Sequence, residues 1–203
     1  MIRKILIFTF LSIFLLSACS DENGVETPCQ FEYDQQQMFT DLADRAIRPA
    51  YSILEEELAE LKSEADNFEQ NTNPAALESL HQSFIDAWVR WQYAAHFSFG
   101  PAEEEALRSS LNPFPANEDQ IDAQLAGGQW DLNAAMTFDK GFPALDYLLF
   151  GKGDNSAELV NFFQNDPHAL TFLTENVDFM LEKVRKVKAA WDGDYRTTFI
   201  NNT

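Results

Sequence analysis

Apolar residues keep a helical period from about Asp34 to Ala65, at Phe39, Leu42, Ala46, Ile53, Leu54, Leu58 and Leu61. Glu55 to Glu57, Glu60 and Glu64 fall mostly between them, the pattern of a helix with one wet face. Pro49 lacks an amide hydrogen, so the run is expected to kink or briefly break there. A second helix has Asn73 as its N-cap and Pro74 at its first position. Leu77, Leu80, Phe84, Trp88, Trp91 and Ala95 then step by three and four, and Gly100-Pro101 ends the run. A third helix starts at Asp166 and Pro167 and buries Leu170, Leu173, Val177, Met180, Val184, Val187 and Trp191 in a heptad-like seam. Lys183, Arg185, Lys186 and Lys188 crowd its last turns, where positive charge suits the helix dipole, and Gly193 closes it. At 1.5 Å per residue these long helices would each measure roughly 38–50 Å.

Shorter pieces lie between the second and third. Asn117 and Gln120 resemble a capping box for a helix that Gly127-Gly128 stops. Phe142 to Phe150 is bordered by Gly141 and Gly151, and residues 156–164 have room for a further turn or two. No segment alternates as a strand does, and nothing repeats at a solenoid period. The predicted fold class is all-α, an up-and-down helical bundle with an elaborated crossover between its second and last long helices.

The N-terminus reads as an address. Arg3 and Lys4 precede an apolar run from Ile5 to Leu16 that is too short to span a bilayer, which needs roughly 20 residues. Leu16-Ser17-Ala18-Cys19 then looks like a bacterial lipobox, so residues 1–18 are expected to be a lipoprotein signal peptide and Cys19 the lipidated residue. Residues 19–32 form the acylated terminus and tether, and 33–203 the helical domain. Ser20 stands where an inner-membrane retention signal would carry Asp, which favours an outer-membrane lipoprotein on the periplasmic face or the cell surface. With Cys19 acylated, Cys29 has no partner within the chain.

The 203 residues carry 14 Lys and Arg against 33 Asp and Glu, a formal charge of −19, or −21 once Arg3 and Lys4 are removed. Such a surface excludes nucleic acid, whose phosphates need clustered cations. It suits cations, metal ions or basic proteins. There is no GxxxxGK[ST], GxGxxG or HExxH, which removes the usual nucleotide and zincin arrangements; no GxSxG elbow is present either, although counting residues leaves Ser-His-Asp catalysis open.

Four segments together resemble a known family. Ala87-Trp88-Val89-Arg90-Trp91, running on through Phe97-Ser98-Phe99-Gly100-Pro101, is similar to the imelysin segment that ends in a Phe-Gly-Pro turn. Gly141-Phe142-Pro143-Ala144-Leu145-Asp146-Tyr147-Leu148-Leu149-Phe150-Gly151 resembles that family's GxHxxE motif and the Tyr-Leu-Leu run after it. Arg48-Pro49-Ala50-Tyr51 and Trp191-Asp192-Gly193-Asp194-Tyr195 stand in the family's order. The resemblance implies a helical fold of two bundle-like halves, of which this chain matches the first. It also implies a bacterial cell-envelope protein with iron-uptake partners, and a divalent or iron cation as cofactor. The motif's histidine position is Pro143 here, which offers no lone pair, and its glutamate position is Asp146, a shorter oxygen ligand.

The residues themselves leave several readings open. Pro143 and Asp146 suit the first turn of a helix, as its N1 proline and a dipole-complementing carboxylate. Asp146 could otherwise serve as a hard-oxygen metal ligand, or as partner of Arg90, for which Asp86 is the other candidate. Glu78 and His81 form a helical ExxH with His81 toward the solvent side. His96 lies near the Phe-Gly-Pro turn and His168 in solvent. The four tryptophans read as core, and Glu103-Glu104-Glu105 as a solvated helix start. The expected function is metal or iron-related ligand binding in a pocket formed by Arg90, His96, Gly141, Pro143 and Asp146. The alternatives are a metal-dependent peptidase, as the family's name suggests, and a non-catalytic surface scaffold.

Overall fold

The computed structural model describes residues 34–201. The expected signal peptide, the expected lipidation site Cys19 and the expected tether lie outside the described residues. Among those residues the structure is helix and connecting turns, with no strand.

The first predicted helix is divided. Helix α1 (Gln35–Leu42) passes into a π-helical stretch, Ala43–Ile47, and then into α2 (Arg48–Gln70). The break sits directly before Pro49, which cannot donate the hydrogen bond a continuous α-helix needs there. Ile53, expected in the core, is 40% exposed, while Tyr51 is fully buried in its place.

Helix α3 (Pro74–Ala94) begins as predicted. The Asn73 side chain accepts from the Ala75 and Ala76 amides at 3.0 and 3.1 Å. A 3-10 turn (Ala95–Phe97) and two short helices follow, α4 (Pro101–Glu104) and α5 (Leu107–Leu111). Next come α6 (Glu118–Gly127), α7 (Gly141–Phe150) and α8 (Ser156–Asn165). Asp166 caps α9 (Pro167–Asp192), accepting from the amides of His168 and Ala169, and α10 (Asp194–Asn201) completes the described chain. With 23, 21 and 26 residues, α2, α3 and α9 measure about 34, 32 and 39 Å; α2 is shorter than expected because the first run is split, and α3 because it gives way to a 3-10 turn after Ala94.

Helix α2 is the centre, packed against α3 on one side and α9 on the other. Cross-helix ion pairs fix the direction of α9. Lys62 meets Asp178 at 3.6 Å, Glu55 meets Arg185 at 3.0 Å, and Arg48 meets Asp192 at 2.8 Å, so position rises on one helix as it falls on the other. Leu54, Leu58, Leu61, Leu80, Phe84, Trp91, Val177, Met180, Val184 and Trp191 fill the space between them. The crossover helices cover the remaining face: α7 packs on α9, and α8 on α3.

Candidate functional site

Three of the four resemblance segments meet at one end of the bundle and hold it together. Arg48 bridges to Asp192 at 2.8 Å, and the Tyr51 hydroxyl donates to the Phe97 carbonyl at 2.8 Å. Gly100 adopts φ +56°, and a Cβ there would lie 2.0 Å from the Tyr195 hydroxyl oxygen, so no other residue fits beneath that ring. Each of these contacts is structural.

The fourth segment is α7, and its placement is set by two buried features. Gly141 has φ +71°, and a Cβ would come within 2.3 Å of the Leu111 carbonyl oxygen. Asn176, fully buried on α9, accepts from the Gly141 amide at 2.9 Å and donates to the Gly141 carbonyl at 3.4 Å. Its neighbour Lys140 is also buried, donating to the carbonyls of Leu132 and Ala134, and burial holds its pKa below the usual lysine value. At the other end of the helix, His81 donates from Nε2 to the Leu149 carbonyl at 2.9 Å and stacks on Phe150. His81 is thus half-buried and caps α7, rather than lying toward solvent, and burial lowers its pKa.

Because Gly141 starts the helix, Pro143 is its third residue and not its first, and Asp146 falls beyond the first turn. The dipole-complement reading of Asp146 is therefore corrected. Asp146 instead opens into a pocket of about 410 Å³. Trp88 of α3 forms one wall, with Phe114, Pro115, Ala116 and Glu118 opposite and Pro143, Asp146, Tyr147, Phe150 and Gly151 along α7. Trp88 stacks on Phe142 with ring centroids 5.8 Å apart, and its indole N–H is buried without an acceptor. Asp146 has no ion pair or hydrogen-bond partner among the described residues, and burial raises its pKa above the ordinary 3.8. The neighbouring Tyr147 hydroxyl is engaged elsewhere, donating to Asp122 at 3.0 Å and accepting from Lys152 at 2.8 Å.

Of the five predicted pocket residues, Pro143 and Asp146 line this cavity and three do not. Arg90 pairs with Glu57 of α2 at 3.4 Å and is 45% exposed, not with Asp146 or Asp86. Two residues on from Trp88 the helix has turned by about 200°, which carries Arg90 away from the pocket. His96 is exposed in the 3-10 turn, past the end of α3. Gly141 is buried as a backbone hinge. Phe114, Pro115, Ala116 and Glu118 were missed because they belong to loop or to the start of α6, where periodicity says nothing. Asn176 did leave a signal, a polar residue within the apolar seam of α9.

Other candidates resolve as structural. His168 is exposed yet bonds through Nδ1 to the Leu125 carbonyl at 2.8 Å, closing α6. Glu103 and Glu104 are exposed, whereas Glu105 pairs with Lys183 at 3.1 Å. Trp91 and Trp191 are buried, while Trp88 and Trp130 are only partly so. Among the described residues no three His, Cys, Asp or Glu side chains are grouped to hold a metal ion, so Asp146 has no ready-made companion ligands. No helix among them is long and apolar enough to cross a membrane. What the pocket offers chemically is one desolvated, uncompensated carboxylate, a second at Glu118, and aromatic walls. It is an arrangement for a positive charge.

Comparison with known proteins gives three findings. The family model described as imelysin, peptidase M75, matches residues 47–203. The fold is similar to a crystal structure of an iron-regulated protein A precursor from Parabacteroides distasonis, with a TM-score of 0.66 and 19% identity. That match covers 77% of this chain and 45% of the other, so the chain spans less than half the length of that relative. No curated protein sequence matches it.

Proposed function

We propose, for a chain that belongs to the imelysin family, a non-catalytic role in which the pocket around Asp146 binds a cationic ligand connected with iron or another metal. The observation that carries this reading is the Asp146 carboxylate, half-buried at the motif's acidic position with no cation of the protein's own to offset it. Proteins do not leave a desolvated charge unpaired at random, and perturbed carboxylates in clefts mark sites more often than chance places them. The iron connection is supported by the name of the structural relative and by the family resemblance. The loss of the motif histidine to Pro143 favours binding over peptidase chemistry, because no nitrogen ligand remains there to help hold a catalytic ion.

Anchoring is part of the proposal. Leu16-Ser17-Ala18-Cys19 supports acylation at Cys19, and Ser20 after it supports an outer-membrane location. Cys19→Ala would then move the protein from the membrane fraction to the soluble envelope fraction; an unchanged distribution argues against the anchor.

The test of the binding role is a set of thermal melts with Fe, Zn, Cu and Ca ions, run on the wild type and on Asp146→Asn. A ligand present at 100 times its dissociation constant adds about 2.7 kcal/mol to the folded state, which is readily seen. One ion is expected to raise the melting temperature of the wild type and leave the variant unmoved. Failure of every ion, or an equal shift in both proteins, removes the metal reading. The aromatic walls favour a second reading, an organic ammonium ion, which tetramethylammonium would report in the same assay.

A further inference from the structure

A second cavity, whose lining does not include Asp146, places a cation without an ion-pair partner beside apolar walls. It is a groove of about 550 Å³ between α4, α5 and the loop before α7, within the size range of small-molecule sites. Ala102, Ala106, Leu107, Pro113, Met136 and Phe138 make its walls largely apolar. Met136 is 92% exposed and Phe138 45%, so the groove presents apolar side chains to water.

Arg108 lines the same groove. Of the twelve lysines and arginines among the described residues, ten are ion-paired. The two without a carboxylate partner are Lys140, which is buried on backbone carbonyls, and Arg108, which is exposed. In a chain with more than twice as many acids as bases, an exposed arginine left free is unusual. Glu103 lines the groove too and still makes no ion pair with it. The guanidinium therefore keeps all its donors for something that enters from outside.

Two further features fall on this groove. The non-glycine residues with positive φ among those described are Ala106 (+50°) and Met136 (+56°), and both line it. Such conformations are held at a free-energy cost and gather at ligand clamps. Asn112, also on the wall, has a buried side-chain carbonyl with no donor.

We infer that this groove binds a small amphipathic monoanion, with its apolar body against Leu107, Met136 and Phe138 and its carboxylate or sulfonate on Arg108. The formal net charge of −19 favours a singly charged ligand over a polyanion, which the rest of the surface would repel.

The probe pair is 8-anilinonaphthalene-1-sulfonate and the neutral N-phenyl-1-naphthylamine, titrated by fluorescence into the purified folded protein. Both are expected to saturate at one site. Arg108→Gln should weaken the sulfonate by about tenfold or more and leave the neutral dye within about twofold. Ser109→Trp, which fills the groove from its exposed wall, should weaken both. Asp146→Asn should change neither, which keeps this groove distinct from the cation pocket. An Arg108→Gln protein that melts like the wild type and binds the sulfonate equally well overturns the inference. So does the absence of saturable binding by the wild type.

Discussion

Asp146 holds its proton to a higher pH than an ordinary aspartate, because burial penalises the anion and no cation offsets it. The folded protein thus binds that proton more tightly than the unfolded chain does. The stability linked to it is complete below the unfolded value near 3.8 and is lost as pH rises through the folded-state value. Asp146→Asn is accordingly expected to melt above the wild type at pH 7, with the difference vanishing at pH 3; scanning calorimetry at both values checks it. Asp44 runs the other way. Hydrogen bonds from Arg196, then from Arg48, hold its carboxyl down at about 2 against burial. That stability is present above 3.8 and lost as pH falls toward 2, so Asp44→Asn should destabilise at pH 7 and converge with the wild type in acid. Gly141→Ala combines a φ that side-chain-bearing residues rarely adopt with a Cβ pressed against the Leu111 backbone, which cannot swing aside. Its expected cost is about 3 kcal/mol or more by urea denaturation.

At the scale of elements, the best-read features were those whose cause is local. Asn73-Pro74 and Asp166-Pro167 each place a capping side chain and an amide-free residue within two positions, and both helices begin there. Asn117 likewise accepts from the Gln120 amide at 3.1 Å, and Gly128 closes α6 at φ +62°. What was not legible depends on residues far apart in sequence. Asn176 is 35 positions from the Gly141 backbone it clamps, and Glu57 is 33 from Arg90. The pocket around Asp146 draws one wall from α3, another from the 114–118 segment and a third from α7, so no single window of sequence contains it. These two kinds of contact should also differ in energy. Asn73→Ala removes an exposed cap and should cost about 1 kcal/mol. Asn176→Ala strands a buried Gly141 amide and should cost about 2–3 kcal/mol, with a cavity added. Urea midpoints at constant m-value separate them.

For the molecule as a whole, charge and architecture divide the labour. The ion pairs that cross from α2 to α9 are largely exposed, so each contributes little, whereas a net charge of −19 opposes compaction everywhere. Added salt screens both, and the unbalanced repulsion is the larger effect. The melting temperature should therefore rise between about 10 mM and 150 mM NaCl, where the Debye length shortens from about 30 to 8 Å; a fall would mean the pairs dominate. The resemblance segments at the Gly100–Tyr195 end secure the bundle, and the α7 segment carries the half-buried Asp146 carboxylate of the pocket. The account stands or falls on that carboxylate. It is tested most directly by a carbon-detected NMR titration of the Asp146 carboxyl, with and without the ion selected by the melts. The prediction is a titration above the ordinary aspartate value in the free protein that moves to lower pH when the cation binds. An Asp146 that titrates as an ordinary exposed aspartate and ignores every cation would contradict it.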